Sequence, residues 1–356
     1  MIDKGDKAGI GLNQEVKVEG INTNDLTSRP NACLPVGRGF STQTLTEGFF
    51  MANVAFVFPG QGSQYVGMGK ELHDNFRVAK EVFEEADGAL GFSISSLCFQ
   101  GPEETLKLTE NTQPALLTTS IAALRVLQAE KGVIPHLVAG HSLGEYSALV
   151  VSGALAFADA VRIVHFRGKF MQEAVPVGVG AMAAILGMER EQVEKLCEEA
   201  AQGEVLTPAN FNCPGQIVIA GHAKAVERAM KRVKQGGKKA VLLPVSAPFH
   251  SPLMKPAGER LEKVLEGIPI MDLKIPVVTN VEADINQSKE KVKELLVAQV
   301  WSPVRWEESM QRIAGDGIEQ TFEIGPGKVL SGLMKRINPK IETKNIEDIQ
   351  TLKKIS

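Results

Sequence analysis

The stretch Leu137-Val138-Ala139-Gly140-His141-Ser142-Leu143-Gly144 joins an apolar run to the helix-forming residues 145–151. Its Gly-x-Ser-x-Gly core is the pattern of a nucleophile elbow, a tight turn from a strand into a helix. The two glycines let neighbouring backbone approach a strained turn that a side chain would block. On such a turn the Ser142 hydroxyl projects away from the sheet, and the N–H groups at the helix start face any oxyanion that develops beside it. The stretch therefore predicts an α/β protein and makes Ser142 a candidate acyl-accepting nucleophile.

Working outward, strand and helix patterns alternate from Val54-Ala55-Phe56-Val57-Phe58 onward, which favours a mostly parallel sheet covered on both faces. Helical periodicity runs through 71–88, 114–131 and 158–174. Residues 180–246 have a rhythm of their own: strand 181–186, helix 190–200, strands near 205–210 and 216–220, helix 223–235 and strand 240–245. That order, βαββαβ, is the split βαβ of ferredoxin-like domains. The prediction is an α/β-hydrolase-like, parallel-sheet main domain over 51–179 and 247–345, with a ferredoxin-like small subdomain inserted at 180–246. In the second half of the main domain, helices are expected at 256–265, 289–299 and 329–337 and strands at 275–279 and 320–324. Residues 346–356 read as a C-terminal tail. Residues 1–50, interrupted by Pro30 and Pro35, hold no sustained period and are expected to be a poorly ordered extension, the compact protein starting at Met51. Asp3, Asp6, Glu15, Glu19 and Asp25 argue against an acid-poor transit sequence there.

With 356 residues the chain is long enough for two domains or for one large domain carrying an insertion. Its 44% hydrophobic and 23% charged residues suit a soluble globular protein. A formal net charge of −3 gives no general attraction to nucleic acid or acidic lipid, so neither is expected as a partner. No apolar run approaches the roughly 20 residues needed to cross a bilayer, and the start of the chain lacks a secretion-signal layout. The expectation is a cytoplasmic protein. Cys33, Cys98, Cys197 and Cys213 stand far apart without Cys-x-x-Cys spacing, which suggests neither a zinc site nor a disulfide framework.

Serine is a poor nucleophile until a base takes its proton, so a histidine partner is required. His73 and His165 lie in amphipathic helical stretches, His136 precedes a strand, His222 begins a helix, and His141 adjoins Ser142 with its side chain directed elsewhere. His250 stands on the proline-bracketed loop Ala247-Pro248-Phe249-His250-Ser251-Pro252, where the inserted unit returns to the main sheet, and is the preferred base. No carboxylate between Ser142 and His250 stands at a recognisable strand end, so a carbonyl is expected to orient the imidazole in place of a triad acid. The loop Pro59-Gly60-Gln61-Gly62-Ser63-Gln64 lacks the third glycine of a dinucleotide loop, Tyr65 standing there, and neither it nor Gly325-Pro326-Gly327-Lys328 carries a Gly-Lys-Ser/Thr. It can instead turn the Gln61 N–H toward the nucleophile as an oxyanion donor. Arg167, on the helix after the elbow, reads either as a solvated arginine or as a fork gripping a substrate carboxylate.

The 59–64 loop, the elbow, Arg167-Gly168-Lys169-Phe170-Met171-Gln172, Asn210-Phe211-Asn212-Cys213-Pro214-Gly215-Gln216, Phe249-His250-Ser251-Pro252 and Gly325-Pro326-Gly327-Lys328-Val329-Leu330 occur together and in order. In this the chain closely resembles bacterial malonyl-CoA:acyl carrier protein transacylases, from about Met51 to beyond Arg336. The resemblance implies that Ser142 carries malonyl as an oxyester and that His250 acts as general base and then general acid, oriented by the main-chain carbonyl of Gln299. It implies an oxyanion hole of the Gln61 and Leu143 backbone N–H groups, and Arg167 on the free carboxylate. Asn212 matches a family position near the active site, and Phe249 would narrow the pocket at the α-carbon and disfavour methylmalonyl. Implied partners are malonyl-CoA and acyl carrier protein, with no cofactor beyond the coenzyme A of the substrate, and the expected state is a monomer. The rival readings are a serine thioesterase or esterase, and a non-catalytic module docking carrier protein through basic residues such as Lys231, Arg232, Lys234, Lys238, Lys239, Lys335 or Arg336.

Overall fold

The computed structural model describes residues 53–245 and 247–355. The expected N-terminal extension and the expected start at Met51 lie outside the described residues. In chain order the described strands are β1 (Val54–Phe58), β2 (Leu137–Gly140), β3 (Gly180–Leu186), β4 (Leu206–Cys213), β5 (Gln216–His222), β6 (Lys239–Leu242), β7 (Val277–Val278), β8 (Ile285–Asn286), β9 (Gln320–Ile324) and β10 (Glu342–Ile346). They form a six-stranded sheet, β10-β9-β1-β2-β7-β8, and a four-stranded sheet, β4-β5-β3-β6.

In the larger sheet every pair is parallel except β7 with β8. β1 is buried along its whole length because both of its faces are covered. Alternation sends Val54, Phe56 and Phe58 into one core, with the helix Thr109–Lys131, and Ala55 and Val57 into another, with Trp306, Met310, Leu330 and Leu333. Phe58 pairs with Gly140 at the carboxyl ends of β1 and β2. The glycine-rich loop and the elbow therefore open side by side at one edge of the sheet, the usual place for a site in such sheets.

The helix expected at 114–131 begins at Thr109, with Pro114 inside it. Proline has no N–H to offer the carbonyl one turn back. His165 Nδ1 stands 2.9 Å from that Glu110 carbonyl and donates to it instead. Gly168 makes the crossing possible, since a Cβ there would sit 2.5 Å from the Thr109 carbonyl oxygen. The expected helix 71–88 is two helices, Lys70–Asn75 and Arg77–Leu90, interrupted where Phe76 is extended. The expected strand 275–279 shrinks to β7, and the helix 289–299 becomes a short 3₁₀ turn followed by Val292–Gln299. The helix Trp306–Gly315 and the strand β10 had not been expected. Residues 346–355 are not a tail: Asp348 caps the helix Ile349–Leu352, and Leu352 and Ile355 are buried in the main core.

The four-stranded sheet is antiparallel throughout. Its period-2 pattern divides it between two neighbours. Ala183, Ile185, Ile217 and Ile219 pack under the helices Arg190–Ala201 and Ala223–Gln235, whereas Met182, Val218 and Ala220 face the main core. The last strand stops at Leu242, short of Pro244, which has no N–H for a ladder. β4 is stitched to the main unit by an exchange with Val304: Phe211 N–H donates to the Val304 carbonyl at 2.9 Å and Val304 N–H to the Ala209 carbonyl at 2.9 Å. No described helix is long and apolar enough to cross a membrane.

Candidate active site

The turn after β2 bends as the pentapeptide requires. Ser142 has a φ of 50°, in the left-handed region that non-glycine residues seldom adopt. A Cβ on Gly140 would lie 1.9 Å from the Gly144 carbonyl carbon, and one on Gly144 would lie 2.1 Å from the Phe58 carbonyl oxygen. Only glycines allow β1, the turn and the helix Gly144–Ser152 to stack this closely. Asn280 straps the turn: the Ser142 N–H donates to its Oδ1 at 2.7 Å, and its Nδ2 donates to the Gly140 carbonyl at 2.7 Å.

His250 comes from the loop after the small unit and also has positive φ, 58°. Its Nε2 is 2.7 Å from Ser142 Oγ. Its Nδ1 is 2.8 Å from the Gln299 carbonyl oxygen and 3.2 Å from that of Ser302. Carbonyls only accept, so Nδ1 carries the hydrogen and the Nε2 lone pair faces the serine. Gln299 ends its helix, where main-chain carbonyls lack partners of their own. Burial pushes the His250 imidazole down to about 3, the positive charge of Arg167 adds to the shift, and the Gln299 carbonyl opposes it. The ring is thus neutral at neutral pH, with its Nε2 lone pair unprotonated beside the serine.

Arg167 is 1% exposed. Its Nη1 donates to Gln113 Oε1 at 2.8 Å, and its Nη2 to Gln299 Oε1 at 3.0 Å and to Ser142 Oγ at 3.2 Å. The guanidinium lies over the Tyr146 ring, its Nε has no partner among the described residues, and burial lowers its pKa. No carboxylate among the described residues touches it. A buried cation held by two amides, the Ser142 hydroxyl and an aromatic ring, all of them neutral, is suited to a substrate anion.

A cleft of about 110 Å³ opens between the elbow and the small sheet. Met171, Met182, Leu243, Val245 and Phe249 give it apolar walls, and Gln61, Leu143, Ser142, His250 and Arg167 its polar end. The backbone N–H groups of Gln61 and Leu143 donate to no described residue. Asn212 stands apart from the others, behind His141, whose Nε2 donates to its Oδ1 at 2.9 Å; the asparagine bordering the cleft is Asn210. Sequence reasoning missed Gln113, Glu145, Asn280 and Ser302. A carboxylate inside the apolar run after the elbow is the available signal for Glu145, whereas Gln113, among the polar residues that open its helix, carries none.

The family model for the acyl transferase domain matches residues 55–352. The malonyl CoA-acyl carrier protein transacylase of Bacillus subtilis (strain 168) is 53% identical over 304 residues, 85% of this chain and 96% of that protein. The protein of the same name from Escherichia coli (strain K12) is 52% identical over 288 residues, 81% of this chain and 93% of its own. Among solved structures, an acyl carrier protein S-malonyltransferase from Vibrio cholerae superposes with a TM-score of 0.83 at 46% identity, covering 86% of this chain and 100% of that one. A malonyl-transacylase in complex with its type II PKS acyl-carrier protein superposes with a TM-score of 0.83 at 49% identity, covering 85% and 98%.

Proposed function

The chain belongs to the acyl transferase domain family, among its malonyl-CoA:acyl carrier protein transacylases, and we propose that it moves malonyl from coenzyme A to a carrier-protein thiol through an ester on Ser142. It is an acyltransferase whose two partners are malonyl-CoA and acyl carrier protein. The observation that carries the mechanism is the placement of Ser142 Oγ between His250 Nε2 at 2.7 Å and Arg167 Nη2 at 3.2 Å.

In the first half-reaction His250 Nε2 takes the serine proton as Oγ bonds to the thioester carbonyl carbon. The oxygen that gains charge is held by the Gln61 and Leu143 N–H groups; one such donor is typically worth about 10²- to 10³-fold in rate. The carbon–sulfur bond then breaks, and His250 returns its proton to the departing coenzyme A sulfur. The second half-reaction runs the same steps in reverse, with the phosphopantetheine thiol as nucleophile. Arg167 takes the free carboxylate, and Phe249 limits space at the α-carbon. Nucleophile, base and oxyanion donors all come from this one chain, which supports a monomeric enzyme needing no group beyond the substrate's coenzyme A. We assign it to fatty-acid synthesis in the cytoplasm.

We also read the larger sheet as α/β-hydrolase-like, on its strand, elbow and helix at Ser142. The smaller unit reads as ferredoxin-like, on its βαββαβ order and the arrangement β4-β5-β3-β6.

The test is intact-mass analysis after mixing with malonyl-CoA, followed by carrier protein. A malonyl adduct should form and then pass to the carrier faster than to water. An adduct that persists in Ser142→Ala removes Ser142 from its role, and release of free malonate in place of transfer overturns the reaction.

A further inference from the structure

Glu145 lies in the first turn of the helix after the elbow and is 1% exposed. It forms no ion pair among the described residues, and no step above uses it. Its Oε2 accepts from the Asn280 N–H at 2.9 Å and from Gln299 Nε2 at 2.7 Å. The same Gln299 Nε2 donates to the Ser142 carbonyl at 3.1 Å, and Gln299 Oε1 accepts from Arg167 Nη2 at 3.0 Å. The carboxylate and the carbonyl only accept, and the guanidinium only donates, so one orientation of the Gln299 amide satisfies all three partners. Turned over, it would set oxygen against oxygen and its NH₂ against the arginine. Burial raises the Glu145 carboxyl to about 7, while the Asn280 N–H and the Gln299 amide hold it back. A carboxylate buried at such cost stays where its hydrogen bonds hold something in place.

We propose that Glu145 is a positioning residue for recognition of the acyl carboxylate: it fixes the Gln299 amide, and the amide oxygen aims Arg167 at the acylated serine. The inference rests on the reading of Arg167 as the carboxylate site. It separates cleanly from proton transfer, because His250 leans on the main-chain carbonyl of Gln299, set by the helix Val292–Gln299 and independent of the side chain. Gln113 keeps its own hold on Arg167 Nη1, so losing the Glu145 contact loosens the guanidinium without releasing it.

The experiment measures kcat/KM for malonyl and acetyl transfer to carrier protein with the full chain, for wild type, Glu145→Ala, Glu145→Gln, Gln299→Leu and the Glu145→Ala/Gln299→Leu double variant. Any damage to the elbow affects both acyl groups and cancels in their ratio. Glu145→Ala should lower the malonyl-to-acetyl ratio about 10-fold, the scale of one hydrogen bond to a charged group. Glu145→Gln, which still presents an acceptor oxygen to Gln299, should restore most of that ratio. Gln299→Leu should lower it as far as Glu145→Ala does, and the double variant no further, since residues acting through one another are not additive. An unchanged ratio in Glu145→Ala, an additive double variant, or a Glu145→Gln as poor as the alanine overturns the proposal. Should Glu145→Ala fail to fold, Glu145→Asp, which withdraws the oxygen by one methylene, is held to the same ratio. Arg167→Ala separates the two ideas: if it shifts the ratio and Glu145→Ala does not, only the positioning role falls; if neither shifts it, the carboxylate site falls as well.

Discussion

Ser142 and His250 meet at 2.7 Å on backbone of the same left-handed sense, yet opposite means hold them there. The serine turn is built mainly by its neighbours in sequence, Gly140 and Gly144, which leave no room for a side chain against the Phe58 carbonyl and the helix start. The imidazole is held by carbonyls from residues 299 and 302, which only the folded chain brings near. Each such left-handed residue costs about 1 to 3 kcal/mol. At Ser142 the Asn280 strap helps offset it, and at His250 the surrounding burial does. A pentapeptide can specify a nucleophile, whereas specifying its base takes a whole topology.

The largest test of that contrast is His250→Ala. Removing a general base should slow malonyl loading by about 10²- to 10⁴-fold, read by rapid-mixing mass spectrometry. A loss under about tenfold would place the base elsewhere and undo the pairing. Next is Gly144→Ala, whose new Cβ would meet the Phe58 oxygen at 2.1 Å. Stability should fall by about 3 kcal/mol, seen as a lower urea midpoint; an unmoved midpoint would mean that the turn tolerates what its local construction forbids. Asn280→Ala removes both straps and should cost about 1 to 3 kcal/mol, with kcat falling and the pH profile unchanged. A shifted profile would tie Asn280 to the imidazole and blur the division.

The smallest expected change is with pH. Neutral His250 is the competent form, so activity is present above its pKa and is lost as pH falls through it. Since burial has pushed that pKa down to about 3, with Arg167 adding to the shift, acetyl loading, which makes no use of the carboxylate site that Glu145 supports, should hold steady as pH drops past the ordinary histidine value of 6.5. An acid limb centred near 6.5 would show an imidazole that the fold leaves as wet as a free one.

What could be read from the sequence follows the same division. The elbow, β1, β9 and the helix Ala223–Gln235 declare themselves because their cause is local: glycine spacing, a fully buried strand, an amphipathic period. β10, Glu-Thr-Lys-Asn-Ile, stayed hidden because an edge strand with one neighbour needs few apolar residues. The helix Trp306–Gly315 does carry a local signal, Trp306, Met310 and Ile313 at helical spacing. Asn280 gives none, since an asparagine two residues past a two-residue strand looks like any turn until Ser142 is placed beside it. The family pattern singles out Gln299 for its carbonyl alone; its amide, which joins Arg167 to Glu145, takes on meaning only in the folded chain.

The exchange between β4 and Val304 carries a mechanical corollary. Within six residues the same strip of chain grips the imidazole, at 299 and 302, and sews the smaller sheet to the main unit, at 304. Prying the smaller sheet from the main unit along that seam would drag the carbonyls from Nδ1 and idle the enzyme.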